Sequence, residues 1–331
     1  MNVVRYINLQ KHKNSKLLYY LKNLIRYYTP KIFLRKKLPC IFLRLSKYDE
    51  NYIVDRVNYY NKLDKTIPVS NEMIPLLQFK RPKKKKGQSV FSAYFFDSYQ
   101  YTRYFSNHLK AAFLFGDVIH IPEIPSITKS RPINGDNANS VILNLDKVRH
   151  FMFVKDKKRF QDKKDMLVGR AYVTQPQRIE FWEMYFNHPL CNLGQINKNN
   201  TNHPEWIVKL MTIDEHLEYK FILCIEGNDV ATNLKWVMSS NSLAVMPRPR
   251  YETWFMEGRL IPNYHYIEIK ADYSDLEDRL TYYTHHIDKA LQIIENAHQY
   301  IAQFKDRKRE DLISFLVLRR YFIQTRQLLL I

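Results

Sequence analysis

Glycine is scarce in this 331-residue chain, at 7 residues, and cysteine scarcer still, at 3. The first shortage argues against a glycine-rich phosphate loop, whose tight turns and bare backbone need several glycines together. Any phosphate must then be held by side chains and helix ends. The second shortage excludes a disulfide framework or a Cys-x-x-Cys metal site, because Cys40, Cys191 and Cys224 stand far apart. A reducing cytoplasm fits that usage. Also missing is any run near the roughly 20 apolar residues that cross a bilayer. The N-terminus lacks the apolar core of a signal peptide, since Lys11, Lys13 and Lys16 interrupt it. The chain is expected to be neither exported nor membrane-spanning.

What is present is positive charge. Fifty-two Lys and Arg against 33 Asp and Glu leave a net charge of +19, with a pI near 9.6. Such a balance points to anionic partners: nucleic acid, phosphorylated sugars or an acidic membrane face. With 24 tyrosines and 19 phenylalanines, a basic protein that stacks bases is one reading. Against it, no nucleic-acid recognition motif is visible and the aromatics fall at core-like spacing. At 45% hydrophobic and 26% charged residues the composition is that of a folded protein, and the length predicts two globular units.

The segment Leu17 to Leu45 mixes large apolar residues with Lys22, Arg26, Lys31, Arg35, Lys36, Lys37 and Arg44. It predicts a basic amphipathic helix broken at Pro30 and Pro39. Two readings stand: peripheral association with an anionic inner-leaflet membrane, or packing on the domain with a solvated basic side. Lys80 to Gly87 reads as a polybasic loop. Phe91 to Leu109 is helix-like, Ala111 to Asp117 reads as a buried strand ending in an acidic residue, and Ser140 to Leu145 as another strand. Lys155 to Asp165 is the expected connection between domains. In the second half, strands at Asp165–Arg170, Glu218–Ile225, Ser242–Met246 and His265–Lys270 alternate with helices at Gln177–Asn187, Thr232–Asn241 and Tyr251–Gly258. That alternation implies a parallel sheet covered on both faces. From Ser274, a capped start, the chain is largely helical, with a last long helix from Asp311 to Ile331.

The sharpest local feature is Tyr219 to Trp236, an apolar strand, a tight turn at Gly227 and an immediate helix. A helix start there suits a diphosphate, with Lys235 adding charge one turn in. Asp229, misplaced opposite a phosphate, either caps the helix or accepts from a sugar or ribose hydroxyl. Ordinary strand-to-helix packing explains the same stretch equally well.

The run Glu226-Gly227-Asn228-Asp229-Val230-Ala231-Thr232-Asn233-Leu234-Lys235 is followed by Met238-Ser239-Ser240-Asn241-Ser242, Tyr251-Glu252-Thr253-Trp254-Phe255, Pro262-Asn263-Tyr264-His265-Tyr266 and Tyr273-Ser274-Asp275-Leu276. Together these resemble glycosyltransferase family 90, over roughly Phe91 to Phe304. The family includes bacterial lipopolysaccharide core transferases and Rumi-type protein O-glucosyltransferases. The resemblance implies an α/β fold of GT-B type, two Rossmann-like domains facing across a cleft, with long C-terminal helices. Residues 1–155 would form the acceptor-side domain, 165–305 the nucleotide-sugar domain and 306–331 a C-terminal helix.

The activity implied is inverting transfer, hexosyl transfer first, from a UDP-sugar, with no obligatory metal or other cofactor; the basic charge, the amphipathic N-terminal segment and the missing signal peptide suit a lipid A-linked lipopolysaccharide core as acceptor, with no nucleic acid partner. A catalytically inactive scaffold of the same fold is the alternative within the family. The absence of any Asp-x-Asp agrees with metal independence. Carried over residue by residue, the resemblance puts the general base on Asp117. The diphosphate-binding arginine falls on Arg178, with Arg170 a rival because this chain reads Gly169-Arg170 where the family has Arg-Gly. The nucleotide-bracketing segment falls on Val230 to Lys235, with Lys235 in place of an arginine. Glu252, and Glu257 after it, are candidates for ribose hydroxyls. His265 is expected to be structural, His120 a loop residue, Trp254 and Phe255 core, and Asn134 to Asn139 a turn-rich loop.

Overall fold

The computed structural model describes residues 9, 11–82, 92–197 and 202–329. Its strands are β1 (Ile74–Pro75), β2 (Lys110–Phe113), β3 (Ser126–Thr128), β4 (Ser130–Pro132), β5 (Ser140–Ile142), β6 (Lys164–Ala171), β7 (Cys191–Gln195), β8 (Tyr219–Leu223), β9 (Leu243–Met246), β10 (Tyr251–Thr253) and β11 (Ile267–Glu268). The longer helices are α1 (Lys16–Tyr28), α2 (Glu50–Tyr60), α3 (Ser92–Thr102), α4 (Pro176–Tyr185), α5 (Leu276–His285), α6 (Ile287–Ala302) and α7 (Arg307–Gln324). The protein is mixed α/β, with parallel sheets and long helices, and divides into two compact units.

The first unit takes in the described residues of Met1–Ser15, Arg149–Arg250 and Glu257–Lys305. Its five strands are all parallel, in the order β11-β9-β8-β6-β7. Renumbered along the chain this is 2-1-3-4-5, a doubly wound order whose direction reverses between β6 and β8. Leu167 and Val168 on β6, Phe221 and Ile222 on β8, and Val245 on β9 are wholly buried. Such continuous apolar runs are what a sheet covered on both faces requires. Phe181, Trp182 and Tyr185 of α4, Leu276 and Leu280 of α5, and Ile293 of α6 pack with Leu167, Leu223 and Val245 into one core.

The second unit takes in the described residues of Lys16–Val148, Tyr251–Met256 and Asp306–Ile331. Strands β2, β3 and β5 are parallel neighbours, and β1 joins β2 antiparallel. A separate two-stranded ladder pairs β10 with β4. Helix α7 is capped by Asp306, whose carboxylate accepts from Lys308 N and Arg309 N. Inside this unit the Glu310 carboxylate accepts from Arg56 Nη2 at 2.9 Å and from Trp254 Nε1 at 2.6 Å.

Several sequence expectations change. Residues 251–258 are not helical, because Tyr251–Thr253 forms β10 and pairs Glu252 directly with Arg131 of β4; Glu257–Arg259 is only a 3-10 turn. The helix expected over Thr232–Asn241 shrinks to Leu234–Val237. The following serines account for this: Ser239 Oγ donates to Trp236 O, and Ser240 Oγ to Val237 O while accepting from Ser242 N. Each offers the backbone a competing partner. Ser274 is not a cap, since its hydroxyl donates to Asp272 and α5 begins at Leu276. Pro30 does end α1, but Pro39 lies in the first turn of a short helix, Leu38–Phe42, where no backbone N–H is needed.

The division between units falls between Val148 and Arg149 rather than within Lys155–Asp165. That stretch belongs to the first unit, where Asp156 accepts from Lys163 Nζ at 2.7 Å and Asn241 N at 2.9 Å. The C-terminal helix is part of the second unit, not a separate segment. Of the polybasic run, Lys83 to Gly87 lies outside the described residues, as does Phe91.

Candidate functional site

At the carboxyl ends of β6 and β8, where the strand order reverses, open α/β sheets place their ligand sites. Here the loops leaving both strands converge on one side chain. Arg178, two residues into α4, donates Nη1 to Tyr172 O at 2.8 Å, in the loop after β6. It donates Nη2 to Ile225 O and Nε to Glu226 O, each at 3.1 Å, in the loop after β8. Three of the five guanidinium donors are thus used, all on neutral carbonyls. No carboxylate pairs with Arg178 among the described residues, and burial alone lowers its pKa to about 10. The neighbouring Glu226 carboxylate is instead taken by Arg250, whose N and Nε both lie at 2.9 Å. A desolvated cation held by dipoles has its charge unneutralised, and an anion docking there would complete it.

Gly227 is what lets the guanidinium lie so close. A Cβ at this position would sit 3.0 Å from Arg178 Nη2 and 3.4 Å from Cζ. Gln177 Nε2 donates to Gly227 O at 2.8 Å, and Gln175 Nε2 to Asn228 Oδ1 at 3.0 Å. Gln175 and Gln177, which flank Pro176 just before Arg178, were not anticipated as parts of this turn.

The rival, Arg170, is held elsewhere. Its Nη1 donates to Asn192 O and its Nη2 to Asn192 Oδ1, both at 2.7 Å, on the neighbouring strand β7. The remaining nucleotide candidates divide by exposure. Asn228 is exposed, Gly227, Thr232 and Asn233 are half-buried, and Asp229, Val230 and Ala231 are buried. The expected helix dipole is absent as a site, because Leu234–Val237 is a single turn and too short to sum peptide dipoles. Its N-cap residue is Asn233 rather than Asp229, and Asn233 donates its amide to Leu223 O at 2.9 Å. Lys235 points inward, wholly buried, with Nζ 2.6 Å from Glu257 Oε1. The two charges expected to meet a nucleotide neutralise each other inside the first unit.

Asp117 belongs to the second unit. It follows β2 through Gly116, whose φ of 116° only glycine adopts comfortably. Val118 N donates to Ser130 Oγ at 3.0 Å, which fixes the loop against β4. The Asp117 side chain is about a third exposed, and Oδ1 lies 2.5 Å from Nζ of Lys129, which is buried. The parallel pairing of β2 with β3 brings these two strand-end residues together; nothing in their sequence separation announced it.

Glu252 is also in the second unit, on β10. It is 1% exposed, its Oε1 accepts from Arg131 Nε at 2.8 Å, and the Tyr59 hydroxyl donates to its other oxygen. Its carboxylate is fully used within the interior. Trp254 and Phe255 are core. His265 accepts at Nδ1 from Ile261 N at 2.9 Å, a structural role. His120 is exposed in a loop. Residues 134–139 form a turn-rich loop in which Asn137 donates to Pro132 O and Asn139 to Glu123 O.

The family model described as glycosyl transferase family 90 matches residues 150–321, which begin after Asp117 and include Arg178 and the Gly227 turn. A relative named O-glucosyltransferase LpsA, from Dichelobacter nodosus, is 41% identical over 270 residues, covering 82% of each chain. The chain belongs to glycosyl transferase family 90 and is a glycosyltransferase.

Proposed function

We propose that the protein transfers a glucosyl residue from a UDP-sugar to a lipopolysaccharide core acceptor, with inversion and without an obligatory metal. The observation that carries this is Arg178, a guanidinium pinned on three backbone carbonyls at the switch point of a doubly wound sheet and left without a carboxylate. Its two remaining donors suit the diphosphate of a nucleotide sugar, whose charge grows as the sugar leaves. Hexose as the cargo and lipopolysaccharide as the acceptor are supported by the name of the LpsA relative. In this reading the two units adopt a GT-B arrangement, and the enzyme works in the cytoplasm. Three unpaired cysteines agree with a reducing location.

The chemistry then needs a base, because an acceptor hydroxyl is a weak nucleophile. Asp117 takes its proton while the acceptor oxygen bonds the anomeric carbon. The bond from that carbon to the diphosphate oxygen breaks on the opposite face, and its electron pair stays with UDP. Lys129 beside Asp117 holds the carboxylate in place through their ion pair. The test is to incubate purified protein with a panel of UDP-sugars and truncated lipopolysaccharide and to read the added mass. A hexose increment from UDP-glucose is expected, and none from the Asp117→Asn variant, which should still bind UDP. Full activity of that variant refutes the assignment of the base. Melting shifts with an oligonucleotide but not with UDP would refute the transferase site in favour of nucleic-acid binding.

A further inference from the structure

Helix α1 carries two opposed faces. One is committed to the second unit: Asn23 is buried, the Tyr19 hydroxyl donates to Asp97 Oδ1 at 2.9 Å, and Tyr27 packs on Tyr99 at 5.3 Å between ring centroids. Arg103 closes the carboxyl end by donating Nη2 to Thr29 O at 2.8 Å. The other face presents Leu17, Leu18, Leu21, Ile25 and Tyr28, which are 78%, 65%, 53%, 63% and 75% exposed. At 3.6 residues per turn these five fall within about 100° of arc. Single exposed leucines need no explanation, whereas a contiguous stripe of five does. Leu43, further along the same segment, is 73% exposed as well.

The charge carried by this segment itself has one sign. Between Lys16 and Tyr48 the sequence has nine Lys and Arg and no acidic residue, the first in the chain being Asp49. Lys36, Lys37 and Arg44 are exposed. Arg26 lowers the pKa of Lys22, with partial burial adding to the effect, so the cations crowd one another. Two copies of this segment would repel each other, since the segment carries no acidic residue of its own. No helix among the described residues is long and apolar enough to cross a membrane, so α1 is not a span. An apolar stripe framed by cations is the pattern of a helix lying in a lipid interface.

We propose that the stripe Leu17, Leu18, Leu21, Ile25 and Tyr28, with the basic residues around it, docks the second unit on the surface of an anionic phospholipid bilayer. The proposal concerns that unit alone and stands whichever sugar or acceptor the enzyme uses. The full chain is sedimented with phosphatidylglycerol-containing vesicles and with phosphatidylcholine vesicles. Wild type should pellet with the former and remain largely in solution with the latter. The triple variant Leu17→Ser, Leu21→Ser, Ile25→Ser removes exposed apolar area only and should weaken partition at least ~10-fold with an unchanged melting temperature. A second variant, Lys36→Gln, Lys37→Gln, Arg44→Gln, leaves the apolar stripe intact and should lose at least ~10-fold on anionic vesicles. Unaltered partition of both variants overturns the proposal. So does wild type that ignores anionic vesicles, or sedimentation velocity showing a wild-type dimer that the serine variant converts to monomer, which would assign the face to a second copy.

Discussion

Replacing Arg178 by methionine separates the cost of holding a charge from its use. Burial lowers the Arg178 pKa from 12.5 to about 10, which at 1.36 kcal/mol per unit is a penalty of about 3 kcal/mol for keeping it charged near neutral pH. Against that stand its three bonds to Tyr172 O, Ile225 O and Glu226 O, each from a charged donor and contributing about 1.5 kcal/mol. The two largely cancel, so the variant without ligand should melt within a few degrees of wild type. Binding is different, because methionine offers the diphosphate nothing. A charge-assisted contact of about 2 kcal/mol corresponds to a roughly 30-fold weaker Kd for UDP. With UDP at about 100 times the wild-type Kd, ligand stabilisation should drop from about 2.7 to about 0.9 kcal/mol, some 4–7 °C of the melting shift for a unit of this size. Calorimetric titration and thermal melting read both quantities. Arg178→Met binding UDP within twofold of wild type would refute the donor site. A loss of more than about 3 kcal/mol of stability without ligand would make the arginine structural instead.

Gly227→Ala puts a Cβ 3.0 Å from Arg178 Nη2, so the pinned guanidinium must move by a few tenths of an ångström; UDP affinity should fall about 3- to 10-fold by titration, less than for Arg178→Met. Lys235→Met takes a charged partner from the buried Glu257 carboxylate and should cost about 3–5 kcal/mol in denaturant unfolding, most of it recovered by adding Glu257→Gln. Normal stability with lost UDP binding would instead return Lys235 to the donor site. Burial raises the Asp97 pKa, so the folded protein holds this proton to higher pH than the unfolded chain. Its contribution to stability is therefore greatest below the ordinary aspartate range and declines as pH rises through the raised value. Asp97→Asn should remove that decline from the stability curve measured against pH; an unchanged slope would show the carboxylate to be ionised throughout.

Local pattern carried much of the first unit. The apolar runs around Leu167, Phe221 and Val245 marked parallel strands buried on both faces, and Glu226-Gly227 marked the turn, because burial and turn chemistry are written in consecutive residues. The predicted Thr232–Asn241 helix is cut to Leu234–Val237 because its serines and Asn241 find local or through-space partners that compete with helical bonds. The site's charges were harder still. Along the chain Arg170 remains a rival to Arg178, and only the crossover between β6 and β8 puts one on the Gly227 turn and leaves the other on Asn192. Lys235 reads as a phosphate ligand until Glu257 is found against it, and Glu252 as a ribose ligand until β10 pairs with β4 and hands it to Arg131. Composition and periodicity determined that this is a basic α/β protein with a parallel sheet and a glycine turn after a central strand. Which charges are neutralised and which remain for a ligand was decided by tertiary structure, because a side chain's counter-ion is set by distance in space.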